Sequence, residues 1–276
     1  MRKYRYESGT GLETFELDAP DAVIGTANEI RGREWAYTLG SRSIENVYRA
    51  ASEHHLSVFY PDKAQADRFR RIADRDVFNG TPGKMVVNGW SQRCFVVAQE
   101  VDEVWHGSLE ATVTLVLLDG VWSKPRTVEF SPEGADIGEA FLDVPYDLPY
   151  DLSVTGASTK VEGSVYFPSP LGIRFYGPCE EPKVTVGSNL YKVGVRVPDG
   201  GILTVDPLSS PKSVTLTLKD GTKSDVYPQS ERGNGKGSGS YIFETLPVGT
   251  HSVSWDGSFR FDLIVYEQEG EPEWSL

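Results

Sequence analysis

The four histidines are the first candidates for metal binding or acid-base chemistry. They are His54, His55, His106 and His251. His54 and His55 are adjacent, so on a strand they point to opposite faces, and none of the four stands in the His-x-x-x-His spacing of a zinc-binding helix. The sequence therefore predicts surface or half-buried histidines, no metal site and no cofactor.

Two glycine-rich segments are superficially similar to phosphate-binding loops. Residues 233–239 alternate glycine with other residues, but no helical pattern follows whose N-terminus could hold a phosphate. Residues 80–84 end in Gly-Lys, but their spacing differs from that of a Walker A loop, and Met85 stands where that loop has Ser or Thr. We interpret the first segment as a flexible loop and the second as the turn that follows a helix.

The sequence contains no recognisable motif for hydrolytic catalysis. No Gly-x-Ser-x-Gly motif is present for a serine nucleophile. The adjacent pair Glu180 and Glu181 could form a glycosidase dyad in principle, but chance pairs are expected among 40 acidic residues. The sequon at Asn79 has meaning only in a secreted eukaryotic protein. We therefore predict no catalytic residues and a protein that is not an enzyme.

Charge and cysteine content narrow the class of partner. The chain has 27 Lys and Arg against 40 Asp and Glu, a net charge of -13 that repels a phosphate backbone, so we expect no direct nucleic-acid binding. Cys94 and Cys179 lie far apart without a CxxC spacing, which predicts two reduced structural thiols. No stretch approaches the roughly 18 apolar residues of a spanning helix, and residues 1–7 lack the apolar run of a signal peptide, so we expect a soluble protein.

The aromatic side chains leave one alternative function open. Six tryptophans and an aromatic content of 11% would permit stacking on sugar rings, with Trp255 and Trp274 as the candidates. The same content is typical of β-sandwich cores and protein interfaces, which we favour.

One helix is predicted in a chain whose apolar residues otherwise alternate with polar ones. It covers residues 63–77 and places Ala66, Phe69, Ile72 and Ala73 on one face. Asp62 is the expected N-cap, with Gln65 in the position of a capping box. Residues 80–83 end the helical pattern.

Strands are predicted on both sides of this helix. An opening hairpin covers residues 1–17, with a turn at 8–11, and later strands cover 84–87, 93–98 and 111–118. Eight short strands are predicted at 172–176, 183–186, 191–197, 202–205, 214–218, 241–243, 251–255 and 259–265, which indicates a sandwich. We read residues 123–153, where Pro-Tyr-Asp-Leu occurs twice, as a connection between domains.

The order of several short features resembles one known family. In the N-terminal half they are the opening hairpin, the cluster Arg33, Trp35 and Tyr37, the helix leading into residues 76–83, and residues 117–122. In the C-terminal half they are residues 202–206, 214–221, 243–249 and 272–274. In this order the chain resembles, over nearly its whole length, the distal tail proteins of siphovirus-type phages and prophages.

The resemblance implies an N-terminal domain (1–127) that forms a hexameric ring, a linker (128–153) and a galectin-like β-sandwich (154–276) that projects from the ring. The ring would lie at the distal end of the tail tube, in the virion tail tip, after assembly in the host cytoplasm. Its partners would be the tail-tube protein, the tail-tip hub protein and, in many phages, a receptor-binding protein. No catalytic residues come with the family. This chain departs from the pattern in its long connection and its glycine loop.

One further hypothesis and two alternatives accompany this interpretation. An acidic ring would let DNA pass without adhering, because like charges repel, and a lumen rich in Lys and Arg would contradict this. The alternatives to a tail protein are a carbohydrate-binding protein of a host-adsorption device and a cell-wall hydrolase.

Overall fold

The computed structural model describes residues 3–18, 20–25, 30, 32, 34–132 and 159–272. Within these ranges the protein is mainly β with a single α-helix, so the fold class predicted from the sequence is confirmed. The chain divides into two compact units, Met1–Lys124 with Gln268–Leu276 and Pro125–Glu267. Each unit has its own buried core.

The first unit is an antiparallel sheet with a helix packed on it. Its elements are β1 (Tyr4–Glu7), β2 (Thr14–Glu16), β3 (Val23–Ile24), β4 (Ala36–Leu39), β5 (Ile44–Tyr48), β6 (Ser52–Tyr60), α1 (Lys63–Asn79), β7 (Gly83–Val87), β8 (Trp90–Val104), β9 (Leu109–Leu117) and the start of β10 (Trp122–Phe130). The strands follow the order β3-β6-β9-β8-β7-β1-β2. Among the described strands, β4 and β5 pair only with each other.

Helix α1 begins and ends at specific caps. The Asp62 side chain accepts a 2.9 Å hydrogen bond from Ala64 N, so the predicted N-cap is confirmed. The second half of a capping box is not formed, since Gln65 Oε1 is buried without a partner in the described part of the chain. Gly80, at φ 63°, adopts the left-handed conformation that ends the helix two residues beyond the predicted Val77.

The buried face of α1 centres on Phe69. Its ring lies 4.8 Å from the Phe15 ring, 5.7 Å from Tyr6 and 6.4 Å from Tyr60, measured between centroids. Burial of one such side chain contributes about 1.5–3 kcal/mol. The cluster therefore joins the helix to the opening hairpin and to β6.

A buried carboxylate fixes the hairpin turn to the end of the helix. Asp76 is almost fully buried, and its Oδ2 accepts hydrogen bonds from the Tyr6 hydroxyl at 2.7 Å and from Gly9 N at 2.9 Å. Nearby, Arg75 forms an ion pair with Glu13 across the same junction. Burial and the neighbouring Asp76 raise the pKa of Tyr6 well above its usual value, so its hydroxyl stays a donor.

The second unit is a two-sheet β-sandwich. Its remaining elements are β11 (Thr159–Glu162), β12 (Ser169–Tyr176), β13 (Cys179–Glu180), β14 (Lys183–Val186), β15 (Asn189–Lys192), β16 (Arg196–Val197), β17 (Ile202–Asp206), β18 (Ser213–Thr217), β19 (Lys223–Asp225), a 3-10 turn (Tyr227–Gln229), β20 (Thr245–Leu246), β21 (Thr250–Ser254) and β22 (Phe261–Glu269). One sheet has the order β19-β18-β17-β12-β22-β10, and the other has the order β11-β21-β14-β15. Inward side chains of both sheets, such as Phe175 and Val184, share one core.

The chain enters this second unit along β10 and leaves it along β22. Arg126 Nε donates a 3.0 Å hydrogen bond to Glu267 Oε1, and Arg126 also bonds the carbonyl of Glu162. The entry and exit of the unit are therefore side by side.

Three predicted segments differ from the observed elements. Residues 241–243, predicted as a strand, form a turn closed by a bond from Glu244 N to Tyr241 O, so that prediction is wrong. Ile242 and Phe243 are buried, which explains why the segment has the apolar character of a strand. Residues 191–197 are divided between β15 and β16, and residues 123–130, interpreted as connection, lie in β10.

The sequence-based domain bounds stay a prediction. Of the described residues, 268–272 group with the first unit, whereas those bounds assign them to the second domain. The doubled Pro-Tyr-Asp-Leu tetrapeptide lies outside the described residues.

Candidate functional site

Three of the four histidines hydrogen-bond to nearby polar groups, and His106 is exposed in the turn between β8 and β9. His54 Nε2 lies 2.7 Å from Ser52 Oγ, His55 Nδ1 lies 3.2 Å from Thr114 Oγ1, and His251 Nε2 lies 3.0 Å from the Pro247 carbonyl. Across the described ranges, no group of three or more His, Cys, Asp or Glu side chains is arranged to hold a metal ion. None of the helices described is long and apolar enough to cross a membrane.

Both cysteines are free thiols in the structure. Cys94 is fully buried, and burial raises the pKa of its thiol far above the usual value. Burial, with a contribution from Asp256, raises the pKa of Cys179 to about 11. At neutral pH both side chains are protonated and are weak nucleophiles.

The glycine loop binds a carboxylate of its own chain. Four of its residues, Gly233, Gly235, Gly237 and Gly239, have positive φ angles. Gly237 N donates a 2.5 Å hydrogen bond to Glu244 Oε2. Because this amide is already bonded and a turn follows instead of a helix, the loop lacks the geometry of a phosphate site.

The acidic pair is divided between two surface ion pairs. Glu180 lies 3.4 Å from Arg196 Nε, and Glu181 lies 3.0 Å from Lys192 Nζ. Each carboxylate is therefore neutralised by its own cation, an arrangement unlike that of two carboxylates facing a common substrate.

Trp255, one of the two tryptophans considered for sugar binding, is partly buried against the sandwich core. Trp255 packs edge-on against Phe130, with ring centroids 5.6 Å apart, and against Phe261 at 5.1 Å. Trp255 therefore contributes to packing of the sandwich, as the favoured interpretation of the aromatic side chains predicts. The other candidate, Trp274, lies outside the described residues.

The hairpin of β4 and β5 is the surface that stands out in the first unit. We call it the hairpin surface, and it consists of the exposed side chains of Trp35, Tyr37, Leu39, Ile44, Val47 and Tyr48. Leu39 is 74% exposed, and all five residues of β5 are exposed. An isolated two-stranded ribbon is marginally stable in water, so this surface is suited to contact with another protein.

Arg49 holds the base of this hairpin through a cation–π contact and a hydrogen bond to the backbone. The Arg49 guanidinium lies 4.4 Å from the centroid of the Trp35 ring. Arg49 Nη1 also donates a 3.3 Å hydrogen bond to the Gly120 carbonyl, next to β10. The hairpin is therefore held at its base and exposed along its length.

A second exposed apolar surface lies in the second unit. We call it the sandwich surface, and it consists of Val165, Tyr166, Phe167 and Val248. Val165 is 81% exposed and Tyr166 is 74% exposed. The two loops that carry them are joined by a 2.7 Å bond from Gly163 N to Gly249 O.

The fold is that of phage baseplate proteins. The chain is similar to a chain of the phage P2 baseplate in its activated conformation with Ca, at a TM-score of 0.62 and 8% identity, covering 99% of this chain and 100% of that one. A chain of the phage p2 baseplate with Sr gives a TM-score of 0.63 at 8% identity, with coverage of 99% and 100%. No protein-family model and no curated protein matches the chain.

A phage hub protein has the same fold. The Dit protein of SPP1, described as a paradigm of the hub adsorption apparatus in Gram-positive infecting phages, matches at a TM-score of 0.51 and 11% identity. The match covers 98% of this chain and 99% of that one. At these identities the likeness establishes the fold of both units.

Sequence reasoning missed the hairpin surface. Trp35, Tyr37 and Leu39 alternate along β4 and the residue before it, but the apolar residues of β5 do not, so the pair does not show the pattern of two half-buried strands. The usable signal was the Gly40-Ser41 turn between two apolar runs. Trp35 and Tyr37 were noted as part of a motif, whereas Arg33 of that motif lies outside the described residues.

Proposed function

We propose that this protein is a non-enzymatic structural subunit of a bacteriophage tail, located in the virion tail tip. The first unit forms a hexameric ring at the distal end of the tail tube, and the second unit is the galectin-like part that projects from it. The ring joins the tail-tube protein to the tail-tip hub protein. No catalytic residue, metal or cofactor takes part.

The fold supports the class of protein, and the hairpin surface supports its role in assembly. Solved structures with this fold include baseplate chains and the SPP1 Dit protein. The hairpin surface exposes six large apolar side chains on two strands that, in the described ranges, pair only with each other. Each such side chain gains about 1.5–3 kcal/mol when it is fully buried, so a protein partner would stabilise the hairpin.

The sandwich surface supports the second part of the proposal. Its four apolar side chains lie on loops, where binding residues are commonly found, and they are joined into one patch by the bond between Gly163 and Gly249. We assign this surface to a host-adsorption protein, such as a receptor-binding protein.

The decisive experiment is the mass of the purified chain in solution, measured by light scattering coupled to size exclusion, followed by negative-stain imaging. Six copies of the 30.5 kDa chain correspond to about 180 kDa, and a closed cyclic assembly is expected. Closed rings in the images support the proposal. A chain that remains monomeric at the highest attainable concentration contradicts the ring.

A further inference from the structure

Helix α1 has an exposed apolar surface at each of its ends. At its C-terminal end, Phe78 is 90% exposed, and Leu12, on the neighbouring hairpin turn, is 86% exposed. Together with Val77 and Arg71 they form what we call the knob surface. At the N-terminal end, Val101, Val104 and Trp105 are exposed on the hairpin of β8 and β9. Together with Glu100, Asp102 and Glu103 they form what we call the tip surface.

The two surfaces lie at opposite ends of the helix. Lys63 N, at the start of α1, donates a 3.1 Å hydrogen bond to Gly107 O in the turn between β8 and β9. Gly9 N, in the turn that carries Leu12, bonds Asp76 in the last turns of α1. A helix of 17 residues is roughly 25 Å long, so one molecule cannot bring its own two surfaces together.

The tip surface has unpaired negative charge. Glu103 and Glu110 are direct cross-strand neighbours, an arrangement of like charges that destabilises a sheet. Asp102 accepts a bond from Thr112 and Glu110 accepts one from Ser57, both from neutral hydroxyls. None of these four acidic side chains at the tip, Glu100 included, has an ion-pair partner in the described part of the chain.

The knob surface has the opposite character. Arg71 and Phe78 lie seven residues apart on α1, hence on one face of the helix. The other three arginines of α1 have acidic partners: Arg68 with Asp21, Arg70 with Asp67 and Asp74, and Arg75 with Glu13. Arg71 is exposed and has no ion-pair partner among the described residues.

We propose that the knob surface of one copy docks on the tip surface of the next copy of this chain. Both surfaces combine exposed apolar side chains with charge, and the signs are opposite. Contact of one tip with another would oppose carboxylate to carboxylate, so the favourable contact joins two different surfaces. Such a head-to-tail contact is the kind that builds a ring or an open chain. The inference rests on the proposed assembly and adds the surfaces that carry it.

The knob is rigid before it docks, which lowers the entropic cost of association. The bonds from Tyr6 and Gly9 to Asp76 and the ion pair of Glu13 with Arg75 hold the turn against the helix. A β-carbon on Gly9 would lie 2.3 Å from the Thr81 carbonyl oxygen, which shows how closely the two segments pack.

The test uses the full-length chain in three forms, the wild type, Phe78→Asp and Val104→Asp. Ser224→Asp, at an exposed position of β19 in the second unit and outside every surface named above, is the control. We expect each of the first two substitutions to weaken self-association by at least about tenfold in the dissociation constant, and the control to leave it unchanged. Sedimentation velocity over a concentration series measures the association. Far-UV circular dichroism verifies that all variants fold, as expected for exposed positions.

Mixing the two defective variants distinguishes this contact from others. A Phe78→Asp chain retains its tip and a Val104→Asp chain retains its knob, so the mixture should form heterodimers and nothing larger. The charge variants Arg71→Glu and Glu103→Arg should each weaken association, and the double variant should recover it, because each contact then regains an opposite pair.

The outcomes separate this inference from the proposed ring. If the wild type forms rings and both Asp variants form them equally well, the docking inference is wrong while the ring stands. If the wild type forms open chains that the two variants abolish, the docking inference stands while the ring is wrong. A wild type that is monomeric at every concentration overturns both. If Glu103→Arg leaves the mass of the assembly unchanged, the acidic side chains of the tip serve only solubility, and the docking inference is wrong while the ring stands.

Discussion

The hydroxyl of Tyr6 donates a 2.7 Å hydrogen bond to the carboxylate of Asp76, which lies 70 positions later in the chain. This bond joins β1 to the last turns of α1 in a buried environment. The loss of unfolding free energy when this bond is removed therefore measures how strongly the hairpin turn is held against the helix.

The first prediction concerns stability. Tyr6→Phe should lower the free energy of unfolding by about 1–3 kcal/mol, because it removes a hydrogen bond to a buried carboxylate. Tyr60→Phe is the matched control: Tyr60 is equally buried, but its hydroxyl has no hydrogen-bond partner in the described structure, so its loss should cost little. Urea unfolding monitored by circular dichroism compares the two, and equal losses would contradict the role given to Asp76.

The second prediction concerns alkaline pH. The pKa of Tyr6 is raised in the folded state, mainly by burial and then by Asp76, so above about pH 10 the unfolded chain loses this proton first. The contribution of Tyr6 to stability is therefore fully present below pH 10 and falls as the pH rises, by up to about 1.4 kcal/mol per pH unit. The unfolding free energy of the wild type should fall more steeply between pH 9 and 11 than that of Tyr6→Phe; parallel curves would disprove this.

The third prediction concerns thiol reactivity. Cys179, with a pKa of about 11, should react slowly with a disulfide reagent in the native protein, and the rate should rise about tenfold per pH unit between pH 8 and 10. Cys94 is buried and should react only after unfolding. In Cys179→Ser, native labelling should vanish; continued labelling would show that Cys94 is accessible.

The fourth prediction concerns the hairpin surface. The double substitution Leu39→Asp and Ile44→Asp places two charges where we expect a protein contact, so the assembled mass should fall toward that of the monomer. Both side chains are exposed, and we expect the unfolding free energy to change by less than about 0.5 kcal/mol per site. Light scattering checks the mass, with Ser224→Asp as the control, and an unchanged mass would remove this surface from the assembly.

The fifth prediction tests whether Trp255 stabilises the sandwich or binds a carbohydrate. Trp255→Ala should destabilise the protein, by somewhat less than the roughly 3–5 kcal/mol of a fully buried tryptophan, because Trp255 is only partly buried between Phe130 and Phe261. Tyr166→Ala, at an exposed position, should leave stability nearly unchanged. Thermal unfolding measures both, and a stable Trp255→Ala protein that had lost glycan-array binding would revive the carbohydrate alternative.

Local chemistry explains which elements could be predicted from the sequence. Asp62 and Gly80 act through the conformations of a few neighbouring residues, so the bounds of α1 were predictable to within two residues. The opening hairpin also depended on a local turn.

Long-range pairing explains the elements that were missed. Strand β6 is fixed by nine cross-strand pairs with β9, from Ser52 opposite Leu117 to Tyr60 opposite Leu109. No local sequence pattern indicates that β9 is its partner. Ile242 and Phe243 show the converse case, in which buried apolar side chains occur on a turn. The surfaces proposed for assembly could not be predicted from the sequence for a related reason. The exposure of a side chain is a property of the folded chain, and no residue type or local pattern indicates it.

The 3.0 Å bond between Arg126 and Glu267 has a consequence for modular exchange. The second unit is an insertion whose two ends meet, and a domain with adjacent termini can be replaced without stretching its host. A foreign domain whose ends lie side by side should therefore be accepted at these positions while the rest of the chain keeps its sequence.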